Sequence, residues 1–207
     1  MKSKLFKPRH PHCFYSEPNI LTLIRLVLSL SFFTLAVVKL SPTYNFIGLA
    51  IHWVGDVADG FYARKFKQET IVGAEIDIIA DRVETLFFYV NFLHFQPELW
   101  LPAAIYLLDF AFIDFYLSYQ FLKYDIISPN YFYKVDRPVY RLNYSPIAKF
   151  CNSTVVTLIL IFLPQLRLVA ALFALILIGV KIYSIQRLNK NKKVEKKSLV
   201  LKEETSK

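Results

Sequence analysis

Four aspartates show the clearest capacity for chemistry in this sequence: Asp56 and Asp59, then Asp77 and Asp81. The members of each pair are three or four positions apart, so on a helix they project from one face near the helix end. A short turn over 64–70 would bring the two pairs together. Four unpaired carboxylates at that distance would repel each other strongly in a medium of low dielectric constant. The pattern therefore predicts that divalent cations bind between two helices.

The ligand types indicate which cations these are. The cluster offers carboxylate oxygens, with no Cys or His at ligand spacing, and such a set favours Mg²⁺ or Mn²⁺ over Zn²⁺. Two such ions can stabilise both the attacked phosphorus and the leaving group of a phosphoryl transfer. Gly60 and Gly73 allow the backbone or a nucleotide to approach closely, and Arg64 can bind a phosphate through two hydrogen bonds. The sequence thus predicts a two-metal site for phosphoryl transfer.

Residues 56–81 form the pattern D-x2-D-G-x2-A-R-x8-G-x3-D-x3-D, which matches the signature of the CDP-alcohol phosphatidyltransferases without gap or substitution. The segment 18–25, P-N-x-x-T-x-x-R, resembles the start of the first helix in the same family. The resemblance implies that the first three aspartates bind the metals, and that Asp81 completes the metal site and acts as the general base. It also implies a homodimer and a CDP site formed by Asn19, Thr22, Gly60, Arg64 and Gly73.

An enzyme of this family would transfer a phosphatidyl group from CDP-diacylglycerol to a small polar alcohol and release CMP, a step of phospholipid biosynthesis. Three segments resemble eukaryotic-type phosphatidylinositol synthases and favour inositol as the acceptor: 77–82, 108–111 and 138–145. The inositol enzymes carry histidines after the second of these segments, where this chain has F-Y-L-S at 115–118.

Phosphatidylglycerophosphate synthase, which uses glycerol 3-phosphate, is the alternative within the family. Arg137, Arg141 and Lys149 provide cations that could bind an acceptor phosphate. An uncharged polyol would need hydroxyl and amide partners instead, and four residues near these cations offer them: Asn143, Tyr144, Asn152 and Ser153. The sequence leaves both acceptors open.

Long apolar segments must position these side chains. Of the 207 residues, 55% are hydrophobic, and the mean hydropathy of +0.38 is unusual for a soluble domain. The sequence predicts an all-α polytopic membrane protein with a six-helix domain over 20–187, a juxtamembrane arm over 1–19 that can include an interfacial helix, and a basic tail over 188–207. Six segments are long enough to cross a bilayer: about 20–40, 44–63, 71–93, 99–122, 146–164 and 166–187.

The distribution of Lys and Arg predicts the orientation of these spans. One side collects the cations of the arm, of the turn after the second span, of the segment 123–141 and of the tail, whereas the other side has Lys39 and Arg167. Since cytoplasmic loops are rich in Lys and Arg, both termini are predicted to be cytoplasmic. Charged residues also lie inside the cytoplasmic ends of the spans, which predicts an active site in a polar cavity open to the cytoplasm. These residues are the four aspartates with Arg25, Arg82, Lys149 and Lys181.

Other classes of function account for less of the sequence. A cation transporter that uses intramembrane carboxylates would distribute acidic residues through the depth of the bilayer, whereas only Asp109 and Asp114 are predicted to lie deeper than the cluster. The net charge of +9 comes without an aromatic-rich basic fold, so nucleic-acid binding is not expected. The five glycines form neither a Rossmann nor a P-loop pattern. Transfer of a phosphatidyl group remains the leading hypothesis.

Overall fold

The described part of the chain is built from helices. The computed structural model describes the backbone of residues 12–205 and the side chains of residues 12–191. All regular secondary structure in that range is helical, which confirms the predicted all-α class. A short 3₁₀ segment spans Pro129–Lys134. The main helices of this range are α1 Glu17–Val38, α2 Pro42–Lys65, α3 Ile71–Phe95, α4 Pro97–Lys123, α5 Arg137–Tyr144, α6 Pro146–Phe162 and α7 Arg167–Thr205.

α1 and α3 begin after residues whose side chains cap backbone N–H groups. Ser16 Oγ accepts a hydrogen bond from the N–H of Asn19 at 3.3 Å, and Thr70 Oγ1 accepts one from the N–H of Gly73 at 2.9 Å. α2 starts with Pro42, whose missing N–H and fixed φ suit a first helical position. Asn19 and Gly73 therefore lie in the first turns of α1 and α3, and these two turns are in contact.

α1, α2 and α3 pack into a three-helix unit that two buried amides hold together at one end. Asn91 Nδ2 donates to the carbonyl of Phe33 at 2.8 Å and to Asn45 Oδ1 at 3.2 Å, and Asn45 Nδ2 donates to the carbonyl of Phe88 at 3.1 Å. These bonds satisfy polar groups that would be costly to bury alone. Gly48 lets the Phe33 ring lie against α2, since a Cβ there would be 2.5 Å from the ring. The opposite end of this unit carries the aspartates.

The remaining helices complete the core through aromatic contacts with α3. The ring centroids of Tyr89 on α3 and Tyr106 on α4 are 5.3 Å apart, and Tyr106 stacks on Phe110 at 5.7 Å. The hydroxyl groups of Tyr89 and Thr157 on α6 form a hydrogen bond of 2.9 Å. This packing fixes α4 and α6 against the helix that carries Asp77 and Asp81.

Three segments of these helices have π-helical rather than α-helical backbone. They are Asp109–Asp114 in α4, Tyr140–Tyr144 in α5 and Cys151–Val155 in α6. Single π-turns inside α-helices frequently occur at functional sites, because they turn side chains away from the regular α-helical direction.

Helix length and composition support fewer membrane spans than the six predicted. In the described range, three helical stretches are long and apolar enough to cross a bilayer: Glu17–Val38, Pro97–Lys123 and Pro164–Asn191. A fourth span results if α5 and α6, which meet at a bend of 41°, together cross the membrane. All six predicted segments are helical, but α2 and α3 carry the aspartates and other polar groups inside their apolar sequence.

The two predicted terminal regions are only partly within the described residues. Residues 12–16 of the arm are not helical, and residues 17–19 form the first turn of α1. Residues 1–11, with most of the predicted interfacial helix, lie outside the described residues. The backbone of α7 continues through the predicted basic tail to Thr205, whereas the tail's side chains from residue 192 onward lie outside the described residues.

Candidate active site

Arg25 lies at the centre of the aspartate cluster. Its side chain is buried, and its two terminal nitrogens contact carboxylate oxygens from α2 and α3. Nη1 lies 3.4 Å from both Asp56 and Asp59. Nη2 lies 3.5 Å from Asp77 and 3.0 Å from Asp81. The structure therefore brings the four aspartates together around one guanidinium group, whose positive charge offsets part of their mutual repulsion.

Three of the aspartates offer oxygens close enough to share a metal ion. One oxygen each from Asp56, Asp59 and Asp77 lies within 4.8 Å of the other two. The Asp56 and Asp77 side chains are 45% and 38% exposed, so an ion can reach them. Because all three donors are carboxylates, the residues present fit Mg²⁺ or Mn²⁺. Asp81 falls in a second group with His52 and Glu84, and its role as a metal ligand stays a prediction.

An open cleft of about 500 Å³ lies between the first turns of α1 and α3 and the last turns of α2. Asp59 and Asp77 form part of its wall. Thr22 Oγ1 donates a hydrogen bond to Asp59 Oδ2 at 2.8 Å, which links the α1 wall to the aspartate cluster. This first cleft brings together all five residues that the family resemblance assigns to CDP: Asn19, Thr22, Gly60, Arg64 and Gly73.

A second open cleft, of about 780 Å³, adjoins the first. Asp56 and Asp81 line it, together with the cationic side chains of Arg82 and Lys149. All three π-helical segments contribute to its wall through residues such as Asp114, Asn143 and Asn152. The two clefts share four lining residues and therefore join beside the aspartate cluster: Ala74, Asp77, Ser128 and Asn130.

The residues predicted to bind an acceptor phosphate are not all brought together. Lys149 lines the second cleft, whereas Arg137 and Arg141 are exposed and do not belong to the walls of either cleft. The amide side chains named for an uncharged polyol, Asn143 and Asn152, do line the second cleft. The acceptor roles of all these residues stay predictions.

The segment 127–134 lies where the two clefts join. Tyr131 in this segment donates a hydrogen bond to Glu69 Oε2 at 2.7 Å, which ties the segment to the turn between α2 and α3. The hydrogen bond to the Glu69 carboxylate raises the pKa of Tyr131 to about 12, so its hydroxyl remains a protonated donor at neutral pH. The contact therefore holds Ser128 and Asn130 beside both clefts.

Several buried polar atoms in the cleft walls have no hydrogen-bond partner within the described residues. They include atoms of Gln68 in the first cleft, Ser128 in both clefts, and Arg82 and Asn143 in the second. Buried polar groups are normally paired, so unpaired ones around open clefts indicate that ligand or solvent supplies the partner. Both clefts therefore have polar walls suited to bound molecules.

Sequence reasoning gives no role to Glu84, although this residue connects three helices at the site. It is fully buried on α3, and its carboxylate lies 3.2 Å from Arg25, 2.5 Å from Ser29 Oγ and 2.9 Å from His52 Nδ1. A signal was present, because an acidic residue one turn after Asp81 in an apolar segment needs a partner. The sequence places Arg25 among the charged residues of the polar cavity, but its central position between the four aspartates could not be predicted, since its contacts lie far away in the chain.

Gly55→Ala should disturb the cluster through Arg25. A Cβ at position 55 would lie 2.5 Å from both Cγ and Cδ of Arg25, and one extra methyl group in a packed interior costs about 1–3 kcal/mol. Arg25 must move to make room, and the carboxylates that contact it must move as well. We therefore expect the affinity for Mn²⁺ to fall about tenfold or more. Electron paramagnetic resonance of added Mn²⁺ measures this affinity. Gly179→Ala is the matched control, because a Cβ there meets no atom within 4 Å. Equal Mn²⁺ binding by both variants would contradict the prediction.

The chain resembles known proteins both as a family and as individual sequences. Residues 15–183 match the model of the family described as CDP-alcohol phosphatidyltransferase. A CDP-diacylglycerol–glycerol-3-phosphate 3-phosphatidyltransferase of Aquifex aeolicus is 38% identical over 93 residues, which are 44% of this chain and 51% of that protein. The protein of the same name from Haemophilus influenzae is 34% identical over 96 residues, again 44% and 51%. The chain thus spans about half the length of the curated relatives it matches. No solved structure matches it.

Proposed function

This chain belongs to the CDP-alcohol phosphatidyltransferase family, and we propose that it transfers a phosphatidyl group from CDP-diacylglycerol to glycerol 3-phosphate and releases CMP. Three segments of the sequence favoured inositol as the acceptor. Both relatives, however, are named for glycerol 3-phosphate, which supports the alternative acceptor instead of inositol. The reaction is a step of phospholipid biosynthesis.

The junction of the two clefts is the observation that carries this proposal. The first cleft is lined by the five residues that match the family's CDP positions, and the second holds Asp81 and two cations. Asp77 belongs to both walls. A liponucleotide in the first cleft and a phosphorylated alcohol in the second would therefore meet at the aspartate cluster. There the phosphatidyl group would be transferred from CMP to the acceptor hydroxyl.

The family depends on divalent metal, and three carboxylates of this chain are suited to hold it. We propose that Asp56, Asp59 and Asp77 bind Mg²⁺ or Mn²⁺, because one carboxylate oxygen of each lies within 4.8 Å of the other two. When bound, the metal supplies positive charge that stabilises the diphosphate of the donor as negative charge develops on the leaving group.

Asp81 is the proposed general base. Its side chain is 22% exposed and lines the second cleft but not the first, so it faces the acceptor side. Asp81 takes the proton of the acceptor's primary hydroxyl, and that oxygen attacks the lipid-bearing phosphorus of CDP-diacylglycerol. The bond from this phosphorus to the bridging oxygen of the diphosphate breaks, and CMP leaves with the electron pair. Arg25, 3.0 Å from Asp81 Oδ1, holds the carboxylate in place.

The phosphate of the acceptor is proposed to bind the cations of the second cleft. Lys149 lines this cleft and forms no ion pair within the described residues, so its ammonium group is available for a phosphate. Arg82 adds a guanidinium group to the same wall. Arg137 and Arg141 lie outside the cleft, and they would bind the acceptor only if α5 moved towards it.

We further propose that α2 and α3 lie in the membrane with the other helices, which would restore the six predicted spans. Their 24 and 25 residues correspond to roughly 36 Å each, enough to cross a bilayer. The exposed residues on these two helices include Val54, Val57 and Val90, which are 65–70% exposed, as expected of side chains that face lipid.

The positive-inside rule supports cytoplasmic termini and a cytoplasmic active site. The family resemblance supports a homodimer, which cross-linking in native membranes would test.

Purified protein tests the proposed reaction directly. CDP-diacylglycerol would be supplied in mixed micelles with Mg²⁺ or Mn²⁺ and, in separate reactions, with glycerol 3-phosphate, inositol, inositol phosphate or serine. CMP release and the lipid formed would be measured by chromatography and mass spectrometry. We expect phosphatidylglycerophosphate with glycerol 3-phosphate, and no CMP release after chelation of the metal.

Each outcome of this experiment separates one part of the proposal from the rest. Phosphatidylinositol as the main product would retain the family reaction and reject the acceptor. Cation flux through proteoliposomes without CMP release would favour a transporter that uses the same carboxylates. Full activity in the presence of a chelator would reject the metal site.

A further inference from the structure

We propose that Lys181 on α7 is a positioning residue for the transfer reaction, acting through Asp114 and Arg82 on the general base Asp81. The inference rests on the proposed function, because it assigns Lys181 a role in that chemistry. Lys181 itself is fully buried and does not line either cleft. Its effect on the reaction must therefore pass through other side chains.

Buried ion pairs connect Lys181 to the second cleft. Lys181 Nζ lies 2.5 Å from Asp109 Oδ2 and 3.2 Å from Asp114 Oδ1. The other oxygen of Asp114 contacts Arg82 Nη2. Asp114 and Arg82 both line the second cleft. The ion pairs therefore lead from the interior of α7 to the wall of the site.

The π-helical segment of α4 explains how one ammonium group reaches both aspartates. Asp109 and Asp114 are the first and last residues of this segment. Five positions in a regular α-helix differ by about 140° around the axis, so both side chains could not point at Lys181. A π-turn, with about 4.4 residues, reduces that difference to about 50°. The backbone of α4 is thus shaped to place two carboxylates around Lys181.

These contacts restrain Arg82 next to the general base. The guanidinium group of Arg82 lies over the ring of Phe110, 4.3 Å from its centroid, while Asp114 binds one of its nitrogens. Its Nη1 lies 3.9 Å from Asp81 Oδ2. Arg25 lies at the other oxygen, Oδ1. Each oxygen of the Asp81 carboxylate therefore has one arginine beside it. Of these two arginines, Arg82 is held in place by Asp114, which in turn contacts Lys181.

Fold stability alone does not account for three buried charges and a fourth, Asp114, that is only 13% exposed. A buried ion pair can often be replaced by apolar side chains of similar volume without loss of stability, because desolvation cancels most of the attraction. Removal of one partner is different, since it leaves an unpaired charge behind. The pair Lys181–Asp109 can therefore be removed as a unit. Asp114 would then still contact Arg82 but would lose its other cationic partner, Lys181.

The test compares Lys181→Met/Asp109→Asn with wild type, Asp114→Asn and the triple variant. Lys181→Met alone leaves Asp109 without a partner and reports mainly on folding. In the double variant we expect a Tm close to that of wild type, a tenfold or greater fall in kcat with glycerol 3-phosphate, and an unchanged KM for CDP-diacylglycerol. If Lys181 acts through Asp114, the double change should lower kcat no further in the Asp114→Asn background. Ile182→Val, an exposed neighbour on α7, serves as the control.

Two results would overturn the inference: a folded double variant with kcat within twofold of wild type, or losses that multiply fully in the triple variant. If the double variant does not fold, the kcat and KM of Asp114→Asn become the test of the proposal. A kcat for Asp114→Asn like that of wild type rejects it. The activity of the wild-type protein distinguishes failure of this inference from failure of the proposed function. Absence of CMP release by wild type rejects both, whereas a normal wild-type rate with an unaffected double variant rejects only the role of Lys181.

Discussion

Asp81→Asn is expected to lower kcat by about a thousandfold while CDP-diacylglycerol still binds. The amide has nearly the shape of the carboxylate but cannot take the proton of the acceptor hydroxyl, and general-base catalysis typically contributes 10²–10⁴-fold. Asp81 lines the second cleft, which is proposed to bind the acceptor, and not the first, which is proposed to bind CDP, so the loss should fall on turnover. Steady-state CMP release gives kcat, and equilibrium binding of radiolabelled CDP-diacylglycerol gives the donor affinity.

The controls for this variant separate chemistry from folding. Asp125→Asn changes an exposed aspartate in the connection between α4 and α5 and should leave both measurements as in wild type. Asp81→Glu keeps the carboxylate and should recover part of the rate. A rate for Asp81→Asn within tenfold of wild type would remove Asp81 as the base.

Asp77→Ala is expected to lower kcat by about a thousandfold and, unlike Asp81→Asn, to weaken metal and donor binding together. Asp77 belongs to the three-carboxylate group and to the walls of both clefts. Loss of one of the three proposed carboxylate ligands would remove several kcal/mol of electrostatic stabilisation, equivalent to roughly 10²–10⁴ in rate. Titration of activity with Mg²⁺ and electron paramagnetic resonance of bound Mn²⁺ give the metal affinity with and without turnover.

Removal of Asp77 also changes the balance of charge around Arg25. Asp56, Asp59, Asp81 and Glu84 remain as its partners, so the variant is expected to fold. Glu98→Ala, an exposed acidic residue beyond the other end of α3, is the control for a general effect of lost negative charge. Unchanged Mn²⁺ affinity in Asp77→Ala would show that the metal binds elsewhere.

The aspartates, glycines and Arg64 follow a fixed spacing over 26 residues, and local geometry explains why that spacing was informative. Side chains three or four positions apart share a helix face, and one short turn decides which helix ends are neighbours. The same locality explains the caps at Ser16 and Thr70 and the positions of the main helices. The number of membrane spans was harder to predict, because the charged residues of the site interrupt the apolar sequence of α2 and α3.

The pattern along the chain is enough to establish the helical class, the family and the approach of the four aspartates, since each depends on neighbours in sequence. Packing decided that Arg25 fills the centre of the cluster, that Lys149 but not Arg137 or Arg141 reaches the second cleft, and that Lys181 contacts Asp109, 72 positions away. These contacts depend on how helices cross and rotate against each other and on one π-turn. Neither property leaves a periodic signal in the sequence, because both arise from side chains that meet only in the folded protein.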